Sequence, residues 1–298
     1  MIAVAGSTGY IGGLLCKRLC ADGHQVRALA RQPERAGDLR EAGCEVRQAD
    51  ALEPGTLRPA LEGAGVAYYL VHSMGRGSDG DFAARDHRAA ENFATAAAAA
   101  GVKRIVYLGG LGEGSKHLDS RHATAETLRR GSVPVSYFRA AAVLGPGSES
   151  FRTVFYLVRR LPVMVTPRWV ATRTQPIAID DVIACLAAGS DLERRVDREI
   201  QIGGPDVTTY GGMIDELARA LGRRPPLRIV VPILTPRLSS LWIGLVTPVD
   251  AGVAKPLIEG LSTETVVADP SGMELLGNPP RTHLQEALRR AASVLEQS

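Results

Sequence analysis

A glycine-rich stretch near the start of the chain, GSTGYIG, has the residue types and the spacing that bind phosphate. It follows the apolar run IAVA directly and opens a helical pattern. Gly6 permits a tight turn, Gly9 lets the backbone approach a phosphate group, and Gly12 brings the helix close to the strand. The N-terminus of the helix then faces a diphosphate. The spacing therefore predicts a dinucleotide site, with a ligand-free glycine turn as the alternative.

Charged residues after the next two strand-like runs bear on which dinucleotide binds. Arg31 ends the run QVRALA, and Arg35 follows one turn later. A guanidinium at this place can form paired hydrogen bonds to a 2′-phosphate, whereas binders of the unphosphorylated cofactor usually carry a carboxylate there. We therefore expect NADP(H), with NAD possible; two surface arginines without a ligand are the alternative. Asp50, which ends VRQAD, is placed either to accept from the adenine amino group or simply to end a strand.

The elements that must position these residues alternate between strand-like and helix-like runs. The runs IAVA, QVRALA, VAYYLV and RIVYLGG are short and mostly apolar on both faces, which is typical of parallel strands covered by helices. Repeated strand–helix–strand units predict right-handed crossovers. The expected fold is α/β, a doubly wound parallel sheet of the Rossmann type.

The second half of the chain loses this rhythm, because prolines divide it into short pieces after about Ser148. We expect a Rossmann domain over residues 1–148 and a smaller substrate or partner lobe over 149–298. Strands near 173–179 and 199–203 are expected to return to the core sheet. The lobe should lie over the carboxyl ends of the strands, where ligands bind in such sheets.

Composition excludes several function classes. A net charge of +3 among 298 residues is too small to indicate a nucleic-acid partner. The four cysteines form no CxxC and no zinc-ligand spacing, so no metal site is expected. Cys16 and Cys20 would share one face of a helix, which favours packing over redox chemistry.

The chain also carries no pattern typical of a membrane-spanning helix. Its most apolar later stretch is interrupted by Pro232, Pro236 and Arg237, so we expect no transmembrane segment. A patch around Leu241–Val246 could contact a membrane surface or a partner; burial in the lobe is the other interpretation. The chain enters a strand without a basic leader, so we expect a cytoplasmic location.

The motifs GSTGYIG, Arg31, the AD at 49–50, GVKRIVYLGG, FRAAAVLGPGSESF and QPIAIDDV carry a family resemblance over nearly the whole chain. The sequence resembles the atypical short-chain dehydrogenase/reductases, in their NmrA-like branch of NAD(P)-binding proteins, and is also similar to the 39-kDa-type accessory subunit of respiratory complex I. The resemblance implies a Rossmann fold with a small C-terminal lobe. It also implies cofactor contacts at Gly6, Thr8, Gly9, Tyr10, Ile11, Arg31 and Asp50, with Val71, His72 and Gly109 lining the nicotinamide half.

Three positions depart from the catalytic set of active relatives. The fifth strand ends in Leu108-Gly109-Gly110 where those relatives carry serine or threonine, and the tyrosine and lysine positions hold His122 and Glu126. The usual mechanism needs a phenol whose pKa is lowered by a neighbouring ammonium group. A carboxylate would instead raise the pKa of a histidine. His122 and Glu126 share one helix face, so they form either an imidazolium acid oriented by a carboxylate or an ordinary surface pair.

Two functions remain open at this point. The first is an NADP(H)-dependent oxidoreductase acting on a small apolar carbonyl or quinone, with Tyr156, Trp169 and Trp242 available to line a pocket. The second is a non-catalytic dinucleotide-binding redox sensor or complex-assembly protein, favoured by the missing serine, tyrosine and lysine. A sugar-nucleotide epimerase is the weakest option, because its chemistry depends most on the missing tyrosine. The sequence identifies neither a substrate nor a protein partner. One fold can serve any of these three functions.

Overall fold

Strands and helices alternate in the computed structural model, which describes residues 1–71, 82–194, 196–230, 263–277 and 280–297. The strands, in chain order, are β1 (Ile2–Ala5), β2 (Val26–Ala30), β3 (Glu45–Gln48), β4 (Val66–Tyr69), β5 (Arg104–Gly110), β6 (Val135–Ala140), β7 (Val143–Leu144), β8 (Val163–Thr166), β9 (Arg173–Thr174), β10 (Ile177–Ala178), β11 (Glu199–Ile202), β12 (Thr208–Thr209) and β13 (Leu227–Val230). The helices are α1 (Tyr10–Ala21), α2 (Gly37–Glu41), α3 (Pro54–Leu61), α4 (Phe82–Ala99), α5 (Lys116–Arg129), α6 (Glu149–Arg160), α7 (Ile179–Ala188), α8 (Tyr210–Ala220), α9 (Ser271–Leu275) and α10 (Leu284–Gln297).

Seven of the strands form one parallel sheet in the order β11-β6-β5-β4-β1-β2-β3. The chain starts at β1, moves to β2 and β3 on one side, and then crosses to β4 on the other. Such a reversal leaves a crevice beyond the carboxyl ends of β1 and β4, where ligands bind in this type of sheet. The predicted doubly wound α/β fold is confirmed.

Apolar side chains cover both faces of the sheet, which is why the strands read as continuous apolar runs. On one face, Leu15 of α1 and Val182 of α7 belong to the same buried cluster as Val4 of β1. On the other, Phe93 of α4 and Leu128 of α5 pack in a second cluster. Helices therefore pack against both faces of the sheet.

The later part of the chain adds a third apolar cluster, built by α6, α8 and α10. Phe155, Leu217 and Leu288 from these three helices are fully buried in it. Thr209 caps α8 by accepting from the Gly212 amide at 3.0 Å. Short strand pairs accompany the helices, with β10 beside β7, β13 beside β8 and β12 antiparallel to β9.

The two strands expected to return to the core sheet behave differently. Glu199–Ile202 lies in the sheet, parallel to β6. Residues 173–179 do not, which corrects the expectation from the sequence. The Gln175 amide donates to the carbonyl of Thr265 at 2.9 Å, and Pro176 has no N–H to continue a ladder. The division of the chain at residue 148 stays a prediction.

None of the helices in the described part of the chain is long and apolar enough to cross a membrane. The patch around Leu241–Val246 lies outside the described residues, so its contact with a membrane or partner stays a prediction.

Candidate functional site

A cleft of about 340 Å³ opens at the carboxyl ends of the central strands. Six residues expected to contact a dinucleotide line it: Gly6, Thr8, Gly9, Arg31, Asp50 and Val71. Apolar side chains, among them Leu29 and Leu57, form part of its wall. The cleft therefore lies where the reversal of strand order predicts a ligand.

The glycine loop between β1 and α1 is as tight as its sequence predicts. Gly6 has φ 84°, and a β-carbon there would lie 2.6 Å from the carbonyl oxygen of Leu70. A β-carbon on Gly12 would lie 2.2 Å from the carbonyl oxygen of Gly6, so α1 packs directly on the loop. The buried hydroxyl of Ser7 donates to the Leu29 carbonyl at 2.9 Å and fixes the loop to β2. Larger residues would disrupt this turn.

The N-terminus of α1 is suited to an anionic group. Its N-cap residue is Gly9, and within this helix no side chain caps the first N–H groups and no acidic residue stands in the first turn. The first N–H groups of a helix lack partners inside the helix and carry the positive end of its dipole. A diphosphate can satisfy them, so the loop fits the group that its sequence predicts.

Two arginines supply positive charge along the cleft. The exposed Arg31, just after β2, lines the cleft, and its guanidinium has no hydrogen bond or ion pair with any described residue. Arg35 does not line the cleft; its guanidinium lies 3.4 Å from the Gln32 side-chain oxygen. Arg85 of α4 lines the cleft and was missed by the sequence analysis. The position of Arg85 in the cleft depends on how α4 packs beside β4, which the sequence does not show.

Asp50 has a structural role as well as a place in the cleft. Its carboxylate accepts from the Leu52 amide at 2.9 Å, and its backbone is held by the Thr56 hydroxyl. These bonds form the turn from β3 to α3. The turn keeps the carboxylate at the cleft wall, and its hydrogen bond to adenine stays a prediction.

Among the described residues, the other predicted cofactor residues lie outside the cleft lining. The ring of Tyr10 packs on Gly147, and a β-carbon on Gly145 would lie 2.3 Å from its hydroxyl oxygen. Ile11 packs against the core cluster shared by α1 and α7. These contacts join the first turn of α1 to the loop after β7. Gly109 ends β5, whereas His72 lies outside the described residues.

The side chains of His122 and Glu126 do not pair with each other, contrary to the expectation from the sequence. Its Nδ1 lies 2.8 Å from the Tyr137 hydroxyl, and its Nε2 lies 3.0 Å from the Gly112 carbonyl oxygen. The exposed Glu126 instead accepts from Arg129 at 3.1 Å. The expected contact is wrong because the helix face carrying His122 turns towards the sheet, while a nearer cation takes the Glu126 carboxylate. Their catalytic roles stay predictions.

Tyr137 of β6 places a hydroxyl at the end of β5, which the sequence analysis missed. A β-carbon on Gly109 would lie 2.8 Å from the Tyr137 hydroxyl oxygen. The phenol therefore occupies the space that a serine or threonine at position 109 would need. Burial raises the pKa of Tyr137, so the phenol keeps its proton at neutral pH while its oxygen lies 2.8 Å from His122 Nδ1.

Arg139, two residues after Tyr137 on β6, also contacts His122. Its guanidinium donates to the Gly112 carbonyl at 2.8 Å and to the Glu199 carboxylate at 2.7 Å, and it lies 3.2 Å from His122 Nε2. Tyr137 thus contacts Nδ1 of His122, whereas the Gly112 carbonyl and the Arg139 guanidinium both lie within hydrogen-bond distance of Nε2. The half-buried imidazole is thus held in one orientation at the edge of β5.

Comparisons with known proteins agree with this geometry. Residues 6–144 match the family model described as NAD(P)H-binding. The chain is 27% identical over 192 residues to ceramide reductase of Caulobacter vibrioides, covering 63% of this chain and 60% of that protein. It is 31% identical over 156 residues to quinone oxidoreductase 2 of Escherichia coli, covering 47% and 52%. It is 26% identical over 172 residues to the photosystem II assembly factor Ycf39 of Trieres chinensis, covering 55% and 52%. The matches span about half to three fifths of these relatives.

Solved structures share the fold over nearly the whole chain. Triphenylmethane reductase of Citrobacter sp., complexed with NADP(H), has a TM-score of 0.77 and 21% identity, covering 98% of this chain and 100% of that one. The NADPH-dependent quinone oxidoreductase of Escherichia coli, complexed with NADPH, has a TM-score of 0.77 and 20% identity, covering 99% and 100%. The cofactor class predicted from the glycine loop is confirmed by the family match. The matched residues, 6–144, include the glycine loop and the strands from β2 to β7.

Proposed function

We propose that this protein is an NADP(H)-dependent oxidoreductase that reduces a small, apolar carbonyl compound or quinone. The observation that carries the proposal is the exposed Arg31 guanidinium, which has no partner among the described residues and lines the same cleft as the glycine loop. A charge so placed suits the 2′-phosphate of NADP(H).

We assign three parts of the cofactor to residues at the cleft. The N–H groups after Gly9 hold the diphosphate, and Arg31 holds the 2′-phosphate. Leu57 and Ala89 provide apolar walls for the adenine. When bound, the reduced nicotinamide supplies a hydride to the substrate.

His122 is the residue we assign as the acid, and Tyr137 positions it. The Tyr137 phenol contacts the imidazole at Nδ1, while the Gly112 carbonyl and the Arg139 guanidinium contact it at Nε2. These contacts hold the ring beside Gly109, where the resemblance places the nicotinamide half. Glu126 has no part in this arrangement, because it contacts Arg129 at the surface.

The substrate class rests on relatives and on composition. Proteins named quinone oxidoreductase 2 and triphenylmethane reductase are among the relatives and structural neighbours. Tyr156 packs on Phe155 in the later part of the chain. The Trp169 side chain and Trp242 lie outside what the structure describes, so the apolar pocket stays part of the proposal. The four free thiols suit the reducing cytoplasm that we expect for this protein.

A second candidate is a dinucleotide-binding protein that performs no turnover and acts as a redox sensor or assembly factor. One observation favours it: both ring nitrogens of His122 already have partners within the fold. A relative carries the name photosystem II assembly factor, which agrees with such a role. We assign no protein partner to this second candidate function.

Steady-state kinetics separates the two candidates. Wild-type protein is mixed with NADPH and a panel of quinones, apolar carbonyls and triphenylmethane dyes, and NADPH loss is followed by absorbance. We expect turnover with at least one compound. We expect His122→Ala to lower kcat by about 10²- to 10⁴-fold, the usual contribution of a general acid.

Two further variants sharpen this test. Glu126→Gln, on the same helix, should leave kcat unchanged. Tyr137→Phe should lower kcat less than His122→Ala and change its pH profile, because the imidazole loses its hydrogen bond. Tight NADPH binding without turnover across the panel would instead favour the second candidate. Turnover that survives in His122→Ala would remove the acid assignment.

A further inference from the structure

Three of the four cysteines converge at the end of α1 that lies away from the cleft. Cys16 and Cys20 belong to α1, and Cys44 directly precedes β3. The Sγ atoms of Cys20 and Cys44 are 3.2 Å apart, although 24 residues separate them along the chain. All four cysteines are free thiols. The fourth, Cys185, is buried on α7.

The arrangement differs from simple packing of one helix face. The sequence explains Cys16 and Cys20 as neighbours on α1, but it does not anticipate that a third thiol, from the loop before β3, contacts Cys20. Cys16 and Cys44 are buried, whereas Cys20 is partly exposed, so a small oxidant reaches the Cys20–Cys44 pair from the Cys20 side. A disulfide needs a sulfur–sulfur distance of about 2.0 Å, so the two sulfurs need to approach by little more than 1 Å.

The third thiol makes one of the pair more reactive. The neighbouring Cys16 and Cys20 thiols lower the pKa of Cys44, against the opposing effect of burial. The thiolate is the form of cysteine that attacks oxidants and disulfides. Cys44 is therefore the nucleophile of the cluster, and Cys20 lies in contact with it.

We propose that Cys20 and Cys44, whose sulfurs are in contact, form a reversible disulfide when the protein meets hydrogen peroxide. The Cys44 thiolate attacks one peroxide oxygen, the O–O bond breaks, and the hydroxide that leaves takes up a proton to become water. Cys44 is then a sulfenic acid. The Cys20 sulfur attacks the Cys44 sulfur, the S–S bond forms, and the S–O bond breaks. The Cys20 proton and the departing hydroxide make a second water.

This modification is independent of the proposed enzymatic function. Cys20 follows the first residue of α1, Tyr10, by ten residues, which corresponds to about 15 Å along the helix axis. The disulfide would tie α1 to the start of β3 without reaching the glycine loop. The oxidised protein should therefore bind NADPH with the affinity of the reduced protein.

Peptide mapping of the full-length wild-type protein tests the proposal directly. Cleavage by trypsin after Lys17, Arg27, Arg40 and other basic residues places the three thiols on separate peptides: Cys16 on 1–17, Cys20 on 19–27 and Cys44 on 41–47. Protein treated with hydrogen peroxide is alkylated before digestion and analysed by mass spectrometry. We expect a species joining 19–27 to 41–47, loss of two of the four alkylated thiols, and full recovery after dithiothreitol.

Variants identify the role of each thiol. Cys185→Ser is the matched control and should form the same cross-link, whereas Cys20→Ser should not. Cys16→Ala, which leaves no side-chain donor at this position, should form it more slowly at neutral pH and recover the wild-type rate at higher pH. Three outcomes would overturn the proposal: four alkylated thiols after peroxide, a cross-link joining 1–17 to 41–47, or irreversible oxidation of Cys44 without a cross-link. These readouts come from peptides, so failure of the enzymatic proposal would leave them unchanged.

Discussion

Replacing Gly12 by alanine should disturb the turn that holds the diphosphate. The new β-carbon would lie 2.2 Å from the Gly6 carbonyl oxygen and 2.9 Å from the Gly6 carbonyl carbon. Both are backbone atoms, so no side-chain rotation can relieve the overlap. Gly6 has little room to retreat, because it packs against the Leu70 carbonyl. The first turn of α1 must move away from the loop.

The size of the effect follows from two opposing contributions. Forcing an extra carbon into a packed site costs about 1–3 kcal/mol, whereas alanine in place of glycine in a helix stabilises by up to about 1 kcal/mol. We expect a net loss of about 1–2 kcal/mol in the free energy of unfolding. If the displaced loop loses one hydrogen bond to a phosphate, worth about 1.5–3 kcal/mol, NADPH affinity should fall by roughly 10- to 150-fold.

Gly13→Ala is the matched control, because its β-carbon would lie 3.3 Å from the Ser7 carbonyl oxygen and needs only a small adjustment. Its stability should change by less than about 1 kcal/mol, with an unchanged Kd for NADPH. Urea unfolding gives the stability of each variant, and isothermal titration calorimetry gives the Kd. The reasoning is refuted if Gly12→Ala matches wild type in both measurements, or if Gly13→Ala is equally damaging.

Three further predictions concern residues around the sheet. Arg104→Ala should lower the free energy of unfolding by at least about 2 kcal/mol, because its buried guanidinium bonds to one carboxylate and three carbonyls; a wild-type urea midpoint would contradict this. Arg85→Gln, in the cleft wall, should weaken NADPH binding by about 3- to 10-fold, while Arg88→Gln on the exposed face of α4 should not; equal calorimetric Kd values for the two variants would count against the cleft. Burial alone would raise the pKa of Glu199, but the hydrogen bond and charge of Arg139 outweigh it and lower that pKa. This contact stabilises the fold above about pH 4.3, the ordinary pKa of an unfolded glutamate, and is lost as pH falls through the lowered value. Glu199→Gln should therefore flatten the acid side of the urea-midpoint profile, and an unaltered profile would contradict the assignment.

Local sterics explain why the cofactor loop could be predicted from the sequence. The roles of Gly6 and Gly12 depend on atoms only a few residues away in the chain, and Arg31 follows directly from where β2 ends. The apolar character of both strand faces similarly implies helices on both sides. None of these inferences requires knowing which distant segments meet.

The rest of the site depends on lateral packing. Helical spacing puts His122 and Glu126 near each other, but the rotation of α5 decides what each contacts. Ala125, three residues after His122, is buried in the sheet cluster, so His122 lies at the inner edge of the helix while Glu126 lies outside. Tyr137 could not be recognised, because its run reads as a buried strand and only the pairing of β5 with β6 brings its hydroxyl to Gly109.

The most direct test of the account is the ratio of the Kd values for NADPH and NADH, measured by calorimetry in wild type and in Arg31→Gln. We expect wild type to prefer NADPH, and the variant to lose NADPH affinity by roughly 10- to 150-fold while its NADH affinity is unchanged. Arg35→Gln, whose side chain lies outside the cleft lining, should keep the wild-type ratio. Equal affinity of the wild type for both nucleotides, or an equal loss of both in Arg31→Gln, would contradict it.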